Sequence, residues 1–224
     1  HTQVTGDDSM LELGVKVLGN TASAILQVRD HINRDTIDRA VELLSAAERV
    51  DFFAVGHYGV VADDAQFKFL RFGIASASFT DPRLQALSAQ VLQPSGVVVL
   101  ISSSGRIDDL LAVADIAHAR GVKVVAITAS HSPLAKKADV ALIVDHEEDL
   151  ATHVPMVSRI LHLLVIDILV VGVAMKRGAL AAPLDGHHPE SMGAVAAHMA
   201  PTARRAGLGI SAAGPLSQLI SHSR

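Results

Sequence analysis

The residues best suited to bind a ligand are the polar ones that follow the predicted strands. The run Ser102-Ser103-Ser104-Gly105-Arg106 comes after an apolar stretch and before a helical pattern. The first turn of a helix has unpaired backbone N–H groups and the positive end of the helix dipole, and serine hydroxyls add further donors. Such a loop suits a phosphate group, which Arg106 can contact with a charge-assisted hydrogen bond. The alternative is that the serines only cap the helix.

Two more loops occupy equivalent places along the chain. Gly56-His57-Tyr58-Gly59 follows the first predicted strand, and its glycines suit a tight turn. His57 and Tyr58 either face a ligand or lean on the domain surface. The loop is not the Gly-x-Gly-x-x-Gly fingerprint of dinucleotide-binding proteins. The third loop, Ser130-His131-Ser132-Pro133, places hydroxyls before a short helix, and a helix cap is its favoured interpretation.

Several kinds of chemistry are excluded or unsupported. The chain has no cysteine, which excludes disulfides, thiolate metal sites and cysteine nucleophiles. No two of the 12 histidines have the i, i+4 spacing of a helical metal site, so no metal is predicted. No Gly-x-Ser-x-Gly motif supports a serine hydrolase. The acidic runs Asp63-Asp64 and Glu147-Glu148-Asp149 are interpreted as a solvated face and a strand exit.

The elements that position these loops are predicted from the apolar pattern. Two helices, ending near His31 and Glu48, come before five apolar runs that are continuous rather than alternating, as in strands buried on both faces of a parallel sheet. The predicted strands are 50–55, 74–79, 96–101, 122–128 and 140–144. The predicted helices after them are 60–72, 82–91, 108–120, 133–138 and 151–176. This alternation predicts a three-layer α/β sandwich, in which ligands bind at the carboxyl ends of the strands.

Composition and charge further limit the classes of function that the chain can have. Of the 224 residues, half are hydrophobic and only 3% aromatic, which predicts an aliphatic core. The 19 basic and 23 acidic residues lack the basic excess of nucleic-acid-binding modules. The apolar run Ile160 to Met175 contains His162 and Asp167, so we expect no membrane span. The helix that contains this run is too apolar to face water, so we expect a two-fold dimer in which it pairs with the first helix. The alternative is that the helix is buried in the core of its own chain.

The loops and strand ends carry a family resemblance. Residues 101–106, 127–135 and 138–139 resemble the sugar isomerase (SIS) domain. Residues 54–59, 64–69 and 156–162 with Ile166-Asp167 resemble, more narrowly, the effector domain of RpiR-type bacterial transcription regulators, in the HexR-like branch. The resemblance covers residues 9–178, so we expect a domain over residues 1–178 and a separate Ala-, Gly- and Pro-rich tail over residues 179–224.

The resemblance implies a five-stranded parallel sheet with flavodoxin-like strand order and a phosphosugar sensor without cofactor. The effector would be a sugar phosphate such as 2-keto-3-deoxy-6-phosphogluconate. Ser102, Ser104 and Ser132 match hydroxyls that hold phosphate, and Ser103, Gly105 and Arg106 complete that loop. A helix-turn-helix domain, absent from this chain, is expected before it and would bind DNA. The protein is expected to be a cytoplasmic homodimer or higher homo-oligomer that binds no membrane.

The sequence departs from the family pattern at the first loop. There the family usually has a serine shortly after Gly56, whereas this chain has His57 and Tyr58. Either the pocket takes a smaller ligand, or His57 and Tyr58 contact a different end of the sugar, or effector binding is lost. The alternative functions are a sugar-phosphate isomerase, for which His57 is the conceivable base, and a purely structural role in assembly.

Overall fold

A computed structural model describes residues 3–146, 148 and 157–178 of the chain. Helices α1 and α2 come first, and strands and helices then alternate. The helices are α1 Met10–His31, α2 Arg34–Ala46, α3 Gly59–Arg71, α4 Pro82–Val91, α5 Asp108–Ala119, α6 Pro133–Lys137 and α7 Val157–Lys176. The strands are β1 Arg49–Ala54, β2 Ala75–Phe79, β3 Gly96–Ser102, β4 Lys123–Thr128 and β5 Val140–Ile143. Residues 151–156 of the predicted last helix and the tail 179–224 lie outside the described residues.

Local sequence sets several of the helix ends. Ser9 caps α1 in a capping box with Glu12, whose carboxylate accepts from the Ser9 backbone N–H. Asn33 caps α2 by accepting from the Thr36 N–H. Gly73 and Gly121 follow α3 and α5 with φ values of +72° and +76°, the left-handed conformation in which helices commonly end.

The five strands form one parallel sheet in the order β2-β1-β3-β4-β5. The predicted fold class and its flavodoxin-like strand order are therefore confirmed. All seven residues of β3 are buried, as expected for a Val-rich central strand covered on both faces. Helices α1, α2, α3 and α7 pack on one face of the sheet, and α4, α5 and α6 pack on the other.

Strand order reverses between β1 and β3. The chain leaves β1 toward α3 on one face and leaves β3 toward α5 on the opposite face. In open α/β sheets this reversal leaves a crevice at the carboxyl ends of the two strands. The loops after β1, β3 and β4, which carry the predicted site residues, all lie along that edge.

The apolar helix α7 packs against α1, α2 and α3. By length and composition alone this helix could cross a membrane, since its most apolar window has a mean hydropathy of 2.2. In the fold, 56% of that window is buried inside the domain, as in the core helix of a soluble protein. Its Asp167 pairs with Lys68, which also bonds Asp64 at 2.6 Å. Burial tends to lower the pKa of Lys68, but the hydrogen bonds with Asp167 and Asp64 outweigh it and raise that pKa.

Candidate functional site

The serine loop after β3 is held in a tight turn by its own hydroxyls. Ser102 Oγ accepts from the Gly105 N–H at 3.1 Å, and Ser104 Oγ accepts from the Arg106 N–H at 3.3 Å. Ser102 and Gly105 are buried, Ser103 is half-buried, and Ser104 and Arg106 are exposed. The loop therefore has a fixed base and presents a hydroxyl and a guanidinium to solvent.

Helix α5 begins after this loop with Ile107 at its N-cap position. Among the residues that the structure describes, no side chain makes a capping hydrogen bond there. The interpretation that the serines only cap this helix is therefore wrong. The first turn also carries Asp108 and Asp109, both exposed, whose negative charge stabilises the positive end of the helix dipole.

Gly105 joins the serine loop to the loop after β4. Its φ is +59°, and a Cβ there would lie 2.3 Å from Ser132 Oγ and 2.4 Å from Thr128 Oγ1. The Gly105 carbonyl accepts from the Leu134 N–H at 3.1 Å. The absence of a side chain thus lets three hydroxyl-bearing residues, Ser102, Thr128 and Ser132, come together at the ends of β3 and β4.

Ser132 is the N-cap of α6. Its Oγ accepts from the Ala135 N–H at 3.1 Å and lies 3.4 Å from Thr128 Oγ1, and both residues are buried. The predicted helix cap at Ser132 is confirmed, while its role as a phosphate contact stays a prediction. Sequence analysis did not single out Thr128, because it occupies the last position of an apolar strand although its hydroxyl belongs to this cluster.

The loop after β1 is a single turn of 3₁₀ helix, Gly56–Tyr58. Gly56, with φ +63°, and His57 lie at the carboxyl edge, where His57 is exposed. Tyr58 is buried, and its Oη lies 2.8 Å from Ser158 Oγ on α7. The Tyr58 hydroxyl, predicted as a ligand contact, is therefore engaged inside the domain. The structure brings the second and third loops into contact and leaves His57 as the exposed polar side chain of the first.

Glu148 lies at the start of α7. Its carboxylate accepts from the Ser158 N–H at 2.7 Å, from the Ser158 hydroxyl, and from the Val157 N–H at 3.4 Å. Glu148 follows β5, as the interpretation of a strand exit expects, but it also caps the N-terminus of α7. Sequence reasoning missed this role, since the helix that Glu148 caps begins nine residues later. Glu147 and Asp149 lie outside the described residues.

His162, one turn into α7, is fully buried with its ring centroid 5.2 Å from that of Tyr58. Within the described part of the chain, neither ring nitrogen has a hydrogen-bond partner. Burial lowers the pKa of His162 from 6.5 to about 4, while the nearby Glu148 charge acts weakly in the other direction. His162 is therefore neutral at pH 7 and sealed from the carboxyl edge.

An apolar groove of about 920 Å³ lies away from these loops, between α1, α2 and α7. Its walls include Ile25, Val28, Val41, Val165 and Ile168. Arg29 and Lys176 also line the groove, but most of its lining is aliphatic, so it suits an apolar protein segment better than a sugar phosphate. Over residues 3–146, 148 and 157–178, no cluster of His, Asp or Glu has the arrangement of a metal site.

Comparison with protein families matches the SIS domain to residues 43–172. Among curated relatives, the bifunctional protein glk of Burkholderia orbicola is 47% identical over 86% of this chain, which spans 29% of that protein. The HTH-type transcriptional regulator HexR of Escherichia coli is 37% identical over 80% of this chain, which spans 62% of the regulator. The chain thus spans less than a third of the first relative and under two thirds of the second.

Solved structures share the fold. The Vibrio vulnificus NanR protein, complexed with ManNAc-6P, superposes with a TM-score of 0.71 at 24% identity, covering 88% of this chain and 70% of that one. The sugar isomerase domain of an RpiR transcription factor from Sphaerobacter thermophilus has a TM-score of 0.67 at 23% identity, over 73% of this chain and 90% of that one. A phosphoheptose isomerase from Francisella tularensis has a TM-score of 0.62 at 15% identity, over 75% and 100% respectively.

Proposed function

The chain belongs to the SIS domain family, and from this premise we propose that it is the phosphosugar-sensing domain of an RpiR-type transcription regulator. The relatives that support a regulator include HexR, which is named as an HTH-type transcriptional regulator. NanR, which shares the fold, was solved with a sugar phosphate bound. The proposed effector is a sugar phosphate such as 2-keto-3-deoxy-6-phosphogluconate.

The observation that carries the proposal is the start of α5 beside the serine loop, where no described side chain caps the helix. Ser103, Ser104 and Arg106 are the accessible groups there. The Gly105 and Arg106 N–H groups are already bonded to Ser102 and Ser104, so the donors offered to a phosphate are the two hydroxyls and the guanidinium. These residues constitute the proposed phosphate site.

Two further sets of residues complete the proposed site. The shape of the serine loop is fixed by three buried residues, which are Ser102, Gly105 and Ser132. Gly56 and His57 would lie beside the sugar part of the bound sugar phosphate. The Tyr58 hydroxyl is left out of the contact set because Ser158 engages it.

Sensing without turnover is favoured by the placement of the acid–base groups. Aldose–ketose isomerisation needs a base and an acid beside adjacent carbons of the sugar. Glu148 is bonded to the N-terminus of α7, and His162 is sealed in the core, which leaves His57 as the exposed histidine of the first loop. His131, in the loop after β4, is also exposed at this edge, so it is the engagement of Glu148 and the burial of His162 that favour sensing over turnover.

The proposed regulator acts as a dimer. The first half of α1 is hardly packed in the single chain: Met10, Leu11, Val15 and Leu18 are 64–78% exposed, and Ala24 is the buried residue of the helix. The groove between α1, α2 and α7 supplies a matching apolar surface. One patch on each copy can cover the other reciprocally, as two-fold symmetry requires. Effector binding would shift this dimer and so re-space DNA-binding domains that precede it in the full cytoplasmic regulator.

The proposed function is tested by isothermal titration of the domain with four sugar phosphates and their unphosphorylated counterparts. The panel is 2-keto-3-deoxy-6-phosphogluconate, glucose 6-phosphate, fructose 6-phosphate and glucosamine 6-phosphate. Saturable binding of one phosphosugar, with its NMR spectrum unchanged after long incubation, is the expected result. Conversion of the sugar would identify an isomerase, and no binding across the panel would contradict the sensor.

A further inference from the structure

A chain of hydrogen bonds, buried at Tyr58 and half-buried at Glu148, joins the loop after β1 to the start of α7. The Ser158 hydroxyl donates to the Glu148 carboxylate, and the Ser158 N–H donates to the same oxygen at 2.7 Å. Because the Ser158 proton is used in this way, the Tyr58 hydroxyl must be the donor in its 2.8 Å contact with Ser158 Oγ. Tyr58, Ser158 and Glu148 therefore form one directed chain that ends on a charge.

Close packing surrounds this chain on the loop side. The Tyr58 ring has two neighbouring rings, that of His57 at 4.8 Å between centroids and that of His162 at 5.2 Å. Behind it, a Cβ at Gly59 would lie 2.6 Å from Thr80 Cγ2 at the end of β2. The first loop consequently has little freedom to shift unless Tyr58, and with it the first turn of α7, shifts too.

We propose that Tyr58 is a positioning residue, which transmits occupation of the carboxyl-edge site to α7 instead of contacting the ligand. The inference rests on the proposed function and specifies how the same site is coupled to the rest of the domain. His57 is the group that moves first, because it is exposed at the edge and its ring lies against that of Tyr58, tilted by 51°. The hydroxyl of Tyr58 then displaces Ser158 and the capped end of the helix.

Helix α7 is suited to receive such a displacement. It is a single 20-residue helix, so a shift of its first turn moves the rest as a unit. Three residues of its outer side, Leu164, Ile168 and Val171, line the apolar groove. A small change at the binding edge would therefore reach the surface proposed to face the second copy, through one continuous physical connection.

Two variants break the Tyr58–Ser158 bond from opposite ends. Tyr58→Phe removes only Oη and leaves Ser158 bonded to Glu148, so no buried donor loses its acceptor. Ser158→Ala removes the acceptor on α7.

The matched control is Ser45→Ala, because the half-buried Ser45 hydroxyl bonds the Val41 carbonyl of its own helix α2. Each protein is titrated with the tightest-binding phosphosugar of the panel, and hydrogen exchange is followed in peptides covering residues 56–59 and 157–176.

In the wild type and in Ser45→Ala, the ligand is expected to slow exchange in both peptides. In Tyr58→Phe and Ser158→Ala, binding is expected to stay within about threefold of wild type while the ligand-induced change in 157–176 is lost. Persistence of that change in both variants would overturn the inference. Loss of binding in Tyr58→Phe alone would also overturn it, because Tyr58 would then be a ligand contact.

Failure of the proposed function gives a different pattern, in which the wild type binds no member of the panel. The inference is then tested without ligand. Ser158→Ala, a change on α7, should speed exchange in peptide 56–59 as well as in 157–176, whereas Ser45→Ala should leave 56–59 unchanged. Acceleration confined to 157–176 would show that the two segments are not coupled and would overturn the inference.

Discussion

Gly105 lies so close to Ser132 that a Cβ on the glycine would stand 2.3 Å from the serine Oγ. The loops after β3 and β4 therefore meet at a position that has no room for any side chain larger than the hydrogen atom of glycine. The left-handed φ of +59° adds a second reason for glycine there. The shape of the proposed phosphate site depends on this contact.

Gly105→Ala should distort the site. The new methyl group combines backbone strain with a clash against Ser132 and Thr128, and we expect a loss of about 3 kcal/mol in the free energy of unfolding. Gly56→Ala is the matched control: its φ is +63°, but the space around its Cβ is open. That control should cost only about 1–2 kcal/mol of backbone strain. Urea denaturation of both variants measures the difference, and equal losses would contradict the packing argument.

Ser104→Ala should weaken phosphosugar binding without unfolding the domain. Ser104 is exposed, so removing its hydroxyl leaves no buried group unpaired, and loss of one hydrogen bond to a charged phosphate should weaken binding about tenfold or more. Ser102→Ala should weaken binding too, because the Gly105 N–H loses its acceptor. Ser95→Ala, at the amino ends of the strands, is the control for isothermal titration. Unchanged affinity in Ser102→Ala and Ser104→Ala would remove these residues from the site.

Acid should destabilise the domain through His162. The folded-state pKa of His162 is lowered to about 4 from an ordinary value of 6.5, so the unfolded chain takes up the proton first as the pH falls. Neutral His162 makes its full contribution to the free energy of unfolding above about pH 6.5, and that contribution is lost as the pH falls to about 4. The loss amounts to about 3 kcal/mol. Denaturation of wild type and His162→Leu at several pH values tests this. A wild-type pH dependence as weak as that of His162→Leu would contradict it.

Val171→Asp should dissociate the proposed dimer. Val171 is half exposed on α7 and lines the groove, where a second copy would have to bury the new charge without a partner. Leu87→Asp is the control, a similarly exposed apolar position on α4, which packs on the other face of the sheet. Sedimentation velocity should show a dimer for wild type and Leu87→Asp and a monomer for Val171→Asp. A wild-type monomer, or a Val171→Asp dimer, would rule out this interface.

The fold was predictable from sequence to within a few residues at most described element ends. Continuous apolar runs such as 96–101 belong to strands buried on both faces, and residues such as Ser9, Asn33 and Gly121 mark helix ends through local hydrogen bonding and φ. These signals are local, so the sequence alone carries them. The second helix ends at Ala46, earlier than predicted, because Ala47 is already extended.

The errors at the site have a different origin. Tyr58 bonds Ser158, which lies one hundred residues later in the chain, so nothing near Tyr58 indicates where its hydroxyl points. Glu148 resembles any acidic loop residue until the start of α7 is placed beside it. Thr128 ends an apolar strand, and only its contact with Gly105 and Ser132 shows that it belongs to the cluster.

The most direct test of the central claim is amide chemical-shift mapping of the labelled domain with 2-keto-3-deoxy-6-phosphogluconate, followed by a late spectrum of the sugar itself. We predict saturable shifts centred on the amides of Ser103, Ser104, Gly105 and Arg106, no such shifts with the unphosphorylated sugar acid, and unchanged sugar resonances. Largest shifts at the groove between α1, α2 and α7, or equal shifts without the phosphate, would contradict the site. New sugar resonances would contradict a sensor that binds without turnover.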